Sequence, residues 1–389
     1  MPAVAFYISG HGFGHASRQI EIINALAPRL PRDVRILIRT DAPRWLFDRT
    51  LATPAILVDG PCDTGVVQID SLRLDEAATV SAAADFYRTF QARTTAEAAL
   101  LREHGARLVI SDAPPLACAA AAAAGIPSIV IGNFTWDWIY SGYGEAFAAG
   151  APQVIPTICS AYALAAAGWQ LPLHGGFETI DTVLNLPFVA RHARPGRSRN
   201  DVLSELSVAR DRPVALCSFG GYGLDAFHPA KLDCLDSWTI VMTGREPRGP
   251  QEPLPRGVAF VNEGAMYDAG LRYEDLVAAV DVVVTKPGYG IVSECLANGT
   301  AMLYTSRGRF VEYDVMISEM PTILRCAHID RDALLAGRWR APLDALLGSP
   351  PPPRRPRTDG ARIAALMIAA AAGWTAEDVT SQISVDRKP

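Results

Sequence analysis

The order of apolar and polar residues changes period repeatedly along this chain. Ala3 to Ile8 is a short unbroken apolar run, and behind it Ala16, Ile20, Ile23, Ala27 and Leu30 recur at helical spacing. Runs of four to eight apolar residues closed by turn signals predict buried strands, and 3–4 spacing predicts an amphipathic helix. VRILIRT (34–40), AILVDG (55–60), RLVISD (107–112) and IPSIVIGN (126–133) read as further strands. A helical stretch from about Asp75 to Glu103 and an alanine-rich helix over 115–124 lie between them. Such βα repetition predicts a parallel sheet covered by helices on both faces.

The alternation stops at RHARPGRSRN (191–200), a basic segment with Pro and Gly that reads as a linker. It then restarts. PVALCSF (213–219), WTIVMTG (238–244), VAFVN (258–262), DVVVTKPGYG (281–290) and AMLYTS (301–306) are strand-like, with a helix over GIVSECLANG (290–299) and another from Val311 to Glu319. The fold class is therefore α/β with two Rossmann-like domains, 1–190 and 200–348. A Pro-rich connector and a last helix, about Gly360 to Ala372, fill 349–389. That helix is apolar on most sides, and crossing back onto the first domain would cover it.

Length and composition agree. At 389 residues the chain exceeds a usual single core, and 49% hydrophobic with 20% charged residues is a globular balance. A net charge of −5 argues against sequence-independent nucleic-acid binding, so no nucleic-acid partner is expected. Seven scattered cysteines without a CxxC pair fit free thiols in a reducing compartment. No apolar tract approaches the roughly 20 residues of a membrane helix, and MPAVAFYISG lacks a basic leader. The sequence thus points to a soluble cytoplasmic protein, with self-association left open.

The candidate chemistry sits where strands end. In ISGHGFGHASR (8–18) the glycines Gly10, Gly12 and Gly14 alternate with His11 and His15 between a strand and a helix. Glycines let backbone approach a ligand, a helix start favours an anion, and an imidazole moves protons near neutral pH. Asp112, closing another strand, is the natural partner that fixes the imidazole tautomer. In parallel sheets ligands bind at the carboxyl ends of strands, so His11, His15, Asp112 and Asn133 share one rim. FTWDWIYSGYGEAFAAG (134–150) is dense in aromatics: either a surface excursion packed by its own rings, or an acceptor pocket using Trp136, Trp138 and Tyr140 with Asn133. The dinucleotide fingerprint spacing and the Walker A lysine are both missing. Two His and one Asp are too little to argue a zinc site, and no metal is expected.

In the second half GGYG (220–223) follows a strand and can seat a phosphate on backbone N–H groups. TKPGYGIVSE brings Lys286, Gly288 and Gly290, then Ser293 and Glu294 one turn into a helix. A carboxylate there can take hydrogen bonds from vicinal ribose hydroxyls. SRGRFVEYD (306–314) places Arg307, Arg309, Glu312 and Asp314 at the next strand end, fit for sugar hydroxyls or diphosphate.

These motifs carry a resemblance. Glycine-rich loops opening both halves, with a PGxGxxSE-type helix start in the second, resemble the type-B (GT-B) glycosyltransferases. SGHGFGHASR, SDAPPLACAAAAAAGIPSIVIGNFTWDWIY and KPGYGIVSECLANG are more specifically similar to the glycosyltransferase-like N-terminal half of plant L-arabinokinases and its stand-alone microbial relatives. The resemblance implies two domains facing each other across a cleft, the first for an acceptor and the second for a nucleoside-diphosphate sugar. His15 matches the histidine nearest the reaction centre, and His11 would position it. Glu294 matches the ribose-holding acid. Gly220, Gly221, Gly288 and Gly290 match the diphosphate-facing loops, with Gly14, Tyr222, Lys286 and Ser293 in the same donor-binding set. Arg309 and Glu312 fall where the donor sugar is held. The Gln of many classical members is absent from that loop, leaving the sugar unspecified. An inverting, metal-independent transfer using no cofactor is the implied activity. Nucleotide-sugar hydrolysis or epimerisation is the alternative, since Gly12, Gly14, His15 and Arg18 approximate a GxGHxxR loop of one such hydrolase; binding without catalysis is another.

Overall fold

A computed structural model describes residues 1–220, 227–243 and 254–374, and everything below concerns those residues. The strands, in chain order, are β1 (Ala3–Ile8), β2 (Arg35–Thr40), β3 (Ile56–Asp59), β4 (Gln68–Asp70), β5 (Arg73–Leu74), β6 (Ala106–Asp112), β7 (Ser128–Phe134), β8 (Ala167–Gly175), β9 (Val183–Asn185), β10 (Val214–Ser218), β11 (Thr239–Met242), β12 (Val258–Phe260), β13 (Val282–Thr285), β14 (Ala301–Tyr304) and β15 (Cys326–His328). They form two compact units.

The first unit holds a seven-stranded parallel sheet in the order β3-β2-β1-β6-β7-β8-β9. β1 is buried along its whole length and alternates by face. Val4, Phe6 and Ile8 meet Ile20 and Ile23 of the helix Phe13–Leu26. Ala5 and Tyr7 meet Ala117, Ala120 and Ala121 of the helix Pro115–Ala124 on the other face. Two covered faces explain why the strand reads as one apolar run rather than an alternating one.

The helix Gly360–Ala371 completes this unit: Ile363, Ala364, Ala365 and Ile368 join the cluster of Ile20 and Ile23. Its start is tight. A Cβ on Gly360 would lie 2.3 Å from the Pro187 carbonyl oxygen, so only glycine lets the helix seat there. The expected single helix over 75–103 is two, Glu76–Arg88 and Phe90–Glu103, broken at Thr89, whose N–H turns back to the Phe86 carbonyl.

The second unit has a six-stranded parallel sheet, β12-β11-β10-β13-β14-β15, and its own core around Ala215, Ile240, Val284, Leu303, Trp238 and Trp339. It spans Arg191–Pro356 and also takes Gln68–Leu74, the antiparallel β4–β5 hairpin, from the middle of the first half. Leu72 is buried in that core, and Ser71 Oγ donates to the Phe219 carbonyl at 2.6 Å.

The basic segment after Ala190 is not a free linker. Arg194 binds Asp275 through its backbone N–H and its guanidinium (2.9 and 2.7 Å), and Arg199 pairs with Asp281 at 2.7 Å. Ser198 caps the helix Arg199–Glu205. The second unit therefore begins at Arg191, nine residues earlier than the sequence suggests, and the chain re-enters the first unit at Arg357.

Candidate active site

The turn after β1 places the first cluster. Gly12 stands just before the helix Phe13–Leu26 with φ +75°, a conformation that suits glycine. Gly14 is exposed at the helix start, and one residue later His15 turns inward and is nearly buried. Its Nδ1 lies 2.8 Å from Oδ1 of Asp112, the last residue of β6. Arg18 and Gln19, three and four residues on and so on the same helix face, reach the same carboxylate. Arg18 donates from Nε to Oδ2 (2.8 Å) and from Nη2 to Oδ1 (2.5 Å), and Gln19 Nε2 donates to Oδ2 at 2.8 Å. Arg18 also binds the Asn133 side-chain oxygen, whose amide nitrogen is held by the Pro172 carbonyl at 2.6 Å.

Asp112 is fully buried and receives four donors, each oxygen taking two. Burial by itself would raise its pKa. The Arg18 and His15 neighbours outweigh that and hold the carboxyl well below the usual range, so it stays ionised. An ionised carboxylate requires the Nδ1 proton as its donor, which leaves the lone pair of His15 on Nε2. Arg18 Nη2, 3.2 Å from the same Nδ1, then acts on the ring by charge alone.

A second carboxylate lies under the turn, one that sequence reading missed. Asp63 is buried and accepts from Ser9 Oγ (2.9 Å) and Trp136 Nε1 (2.7 Å), while the His11 backbone N–H donates to Ser9 Oγ at 3.2 Å. Burial pushes its carboxyl up to about 6, against the lowering effect of those donors and of the His15 charge. The His11 ring lies edge-on to Trp136, with centroids 5.8 Å apart, and over Gly65, where a Cβ would fall 2.6 Å from Nδ1.

The aromatic stretch is interior. Trp136 and Tyr140 are each 1% exposed, and their polar tips are used: the indole on Asp63, the phenol on the Gly65 carbonyl (2.8 Å) and Thr64 (2.9 Å). This corrects the surface excursion, one of the two readings that the sequence allows. Rings with buried hydrogen-bond partners pack as core. Trp138 is half-buried against Gly175 and Gly176.

The second unit gathers the other candidates at strand ends. Gly220 follows β10 with φ +69°; Gly221 and Tyr222 lie outside the described residues. Gly288 precedes the helix Tyr289–Asn298, whose N-terminus has no side-chain cap, and Ser293 Oγ donates to the Gly290 carbonyl at 2.8 Å. Lys286 is half-buried after β13. Burial, then the nearby Arg307 charge, bring its pKa down to about 7 against the pull of Glu312 and Asp70. Glu294 is 4% exposed and accepts from Arg191 Nε at 2.8 Å and from Arg191 Nη2. Glu312 accepts from the buried Arg307 at 3.1 Å, and Arg307 lies over the Phe310 ring, whereas Arg309 is exposed. Among the described residues no group of three or more His, Cys, Asp or Glu is placed to hold a metal, and no helix is long and apolar enough to cross a membrane.

No protein-family model matches the chain. It is 29% identical over 350 residues to the L-arabinokinase of Arabidopsis thaliana, covering 89% of this chain but 32% of that protein, so the chain spans about a third of that relative's length. Among solved structures it is similar to the glycosyltransferase of kitacinnamycin (TM-score 0.60, 20% identity, 95% of this chain and 97% of that one). It is also similar to CalG4, the calicheamicin glycosyltransferase (TM-score 0.58, 18% identity, 95% and 96%). The chain therefore has the fold of the type-B glycosyltransferases.

Proposed function

We propose that this protein transfers a glycosyl group from a nucleoside-diphosphate sugar to an acceptor hydroxyl or amine, with inversion and without a metal. The observation that carries this reading is the 2.8 Å contact between His15 Nδ1 and a carboxylate that Arg18 helps hold ionised and to which Gln19 also donates. It leaves Nε2 of a nearly buried imidazole as a base at the carboxyl end of a parallel sheet. In this reading Nε2 takes the acceptor proton while the acceptor atom bonds to the anomeric carbon. The bond from that carbon to the diphosphate oxygen breaks on the opposite face, and the nucleoside diphosphate leaves with the electron pair. One in-line displacement inverts the anomeric centre. The imidazolium formed is stabilised by Asp112.

The second unit offers what a diphosphate needs. The helix Tyr289–Asn298 begins uncapped at Gly288, which favours an anion. Lys286 stands two residues before it, and an arriving anion would draw a proton onto its amine. Glu294 is the ribose-binding acid of this reading. The similarity to glycosyltransferase structures supports the assignment at the level of fold, and the His15–Asp112 pair supports it at the level of chemistry.

His15→Ala tests it. Turnover should fall roughly 10²- to 10⁴-fold, as for loss of a general base, while calorimetric donor affinity survives. Unchanged turnover would sink the role given to His15. One observation speaks for nucleotide-sugar hydrolysis as a second reading, the entry of Arg18 into the same network as His15. Free sugar released without any dependence on acceptor would establish it. Donor bound tightly but never consumed would leave a binding protein.

A further inference from the structure

The segment that reads as a linker begins, at Arg191, in a buried charge cluster of the second unit. Glu274 and Glu294 are both buried, and they share one cation, Arg191. Arg191 Nη1 is 3.4 Å from Glu274 Oε2, but its Nε and Nη2 both go to Oε1 of Glu294. Three other groups face the cluster. Arg272 Nη1 stands 3.7 Å from Glu274 Oε1, and Glu263 and Tyr267 both feel the Arg191 charge. Among the described residues Glu274 Oε2 receives no hydrogen bond, and both Arg191 bonds to Glu294 fall on Oε1 rather than Oε2. Oxygens of buried carboxylates without donors are uncommon and call for a reason. The backbone that carries this guanidinium is anchored. The Arg191 carbonyl accepts from Asn298 Nδ2 at 3.0 Å, the neighbouring Ala193 N–H donates to Asn298 Oδ1 at 2.9 Å, and the Tyr273 ring lies 5.8 Å away.

The geometry points to Arg191 as a positioning residue for the donor ribose: it occupies one oxygen of Glu294 and leaves the other to accept from vicinal hydroxyls. This rests on the nucleotide-sugar reading and adds to it a residue that the reading did not include. The chemistry excludes the other parts of the donor. A phosphate brings acceptors, and the two carboxylates around this guanidinium repel it. A diol brings donors, which Glu274 Oε2 lacks and which the Glu294 oxygen not taken by Arg191 can accept. Glu294 also lies within two turns of the uncapped helix start at Gly288, so one nucleotide can use both. Arg191 has a second effect. Burial, with the Glu274 charge, raises the Glu294 carboxyl above its ordinary value, and Arg191 opposes that rise.

The test is calorimetric titration with UDP, GDP, ADP and CDP, then with the 2′-deoxy counterpart of the tightest binder. Wild type should prefer the ribose form by about 10- to 100-fold, the scale of a hydrogen bond to a charged group. Arg191→Met should lose most of that preference by weakening the ribose form and sparing the deoxy form. Its remaining ribose affinity should rise with pH, because an unopposed Glu294 ionises later. A merely structural role would weaken both nucleotides alike, at every pH. If Arg191→Met does not fold, Arg191→Lys decides: it keeps the charge but not the two-pronged grip, and an intermediate preference is expected. A wild-type preference retained in the variant overturns the inference about Arg191. Wild type binding none of the four, and not binding dTDP either, overturns the nucleotide-sugar reading instead, and the inference with it; binding dTDP alone overturns only the inference.

Discussion

Asp112→Asn is the perturbation that most directly probes the first cluster. The wild-type carboxylate takes four donors, two per oxygen, from His15, Arg18 and Gln19. A carboxamide has one acceptor oxygen, so its amino group must face two of those donors. Arg18, with a side chain 9% exposed, loses the anion it holds. Removing one partner of a buried ion pair costs about 3–5 kcal/mol. The amide retains one acceptor, which places the expectation near the lower end, about 3 kcal/mol. The loss has a pH signature. Asp112 titrates below its ordinary value in the folded protein, so its contribution is complete above the unfolded value near 4 and disappears as pH falls toward the folded one. Urea denaturation of wild type and variant should therefore show a constant gap above about pH 5, closing in stronger acid. Turnover should fall as well, by up to about 10⁴-fold, because an amide either presents its N–H₂ to Nδ1 and fixes the wrong tautomer or leaves the imidazolium uncompensated. In a double variant carrying both His15→Ala and Asp112→Asn the two turnover losses should not add, since both disable one unit. A gap under about 1 kcal/mol at pH 7, or one that stays constant into acid, would refute this reasoning.

Two other perturbations address the parts that the sequence did not reveal. Asp63 titrates at about 6 when folded against 3.8 unfolded, so the folded state binds its proton more tightly, and ionisation above pH 6 opposes folding by about 3 kcal/mol. Asp63→Asn should thus gain stability relative to wild type as pH rises from about 4 to 7, with no further change above; thermal melts across that range check it, and a pH-independent difference would count against the buried-carboxylate account. Leu72→Ala should cost about 2–4 kcal/mol, as a buried leucine truncation does, and hydrogen exchange should rise in β10 and β13 of the second unit while β1 and β6 of the first stay protected. Loss of protection in the first unit instead would place the hairpin in the wrong core.

The sheets were legible because their signal is local. β1, β6, β7 and β13 are short apolar runs with a turn signal at the carboxyl end, and burial on both faces demands that pattern. The first cluster was half legible for the same reason. His15 stands at a glycine-rich helix start, and HASRQ already places Arg18 and Gln19 at the i+3 and i+4 positions that share its face. What escaped depends on partners far along the chain. Asp63 is one acid in a loop, and its meaning comes from Ser9, 54 residues before it, and Trp136, 73 after. The hairpin Gln68–Leu74 offers strands of three and two residues, too short to show a period, and only its partners Phe219 and Leu303 assign it to the second unit.

The segment 191–200 carries this furthest. Proline, glycine and four arginines make a flexible, solvated connector the natural reading, and composition alone has no way to reject it. Yet an arginine beside a buried carboxylate is a fixed group, and Glu294, Asp275 and Asp281 lie 81 to 103 residues downstream of the arginines they hold. Each of those acids, read locally, is an ordinary helix-start or strand-edge charge. Read as pairs, they turn a tether into part of the second unit, and they decide how much of Glu294 is left for a ligand. The charge pattern of such a segment is thus informative only together with a count of the buried opposite charges elsewhere. Here two buried carboxylates share Arg191, with the more distant Arg272 reaching Glu274 alone. That imbalance, more than either residue type, is what the proposed contact with ribose hydroxyls draws on.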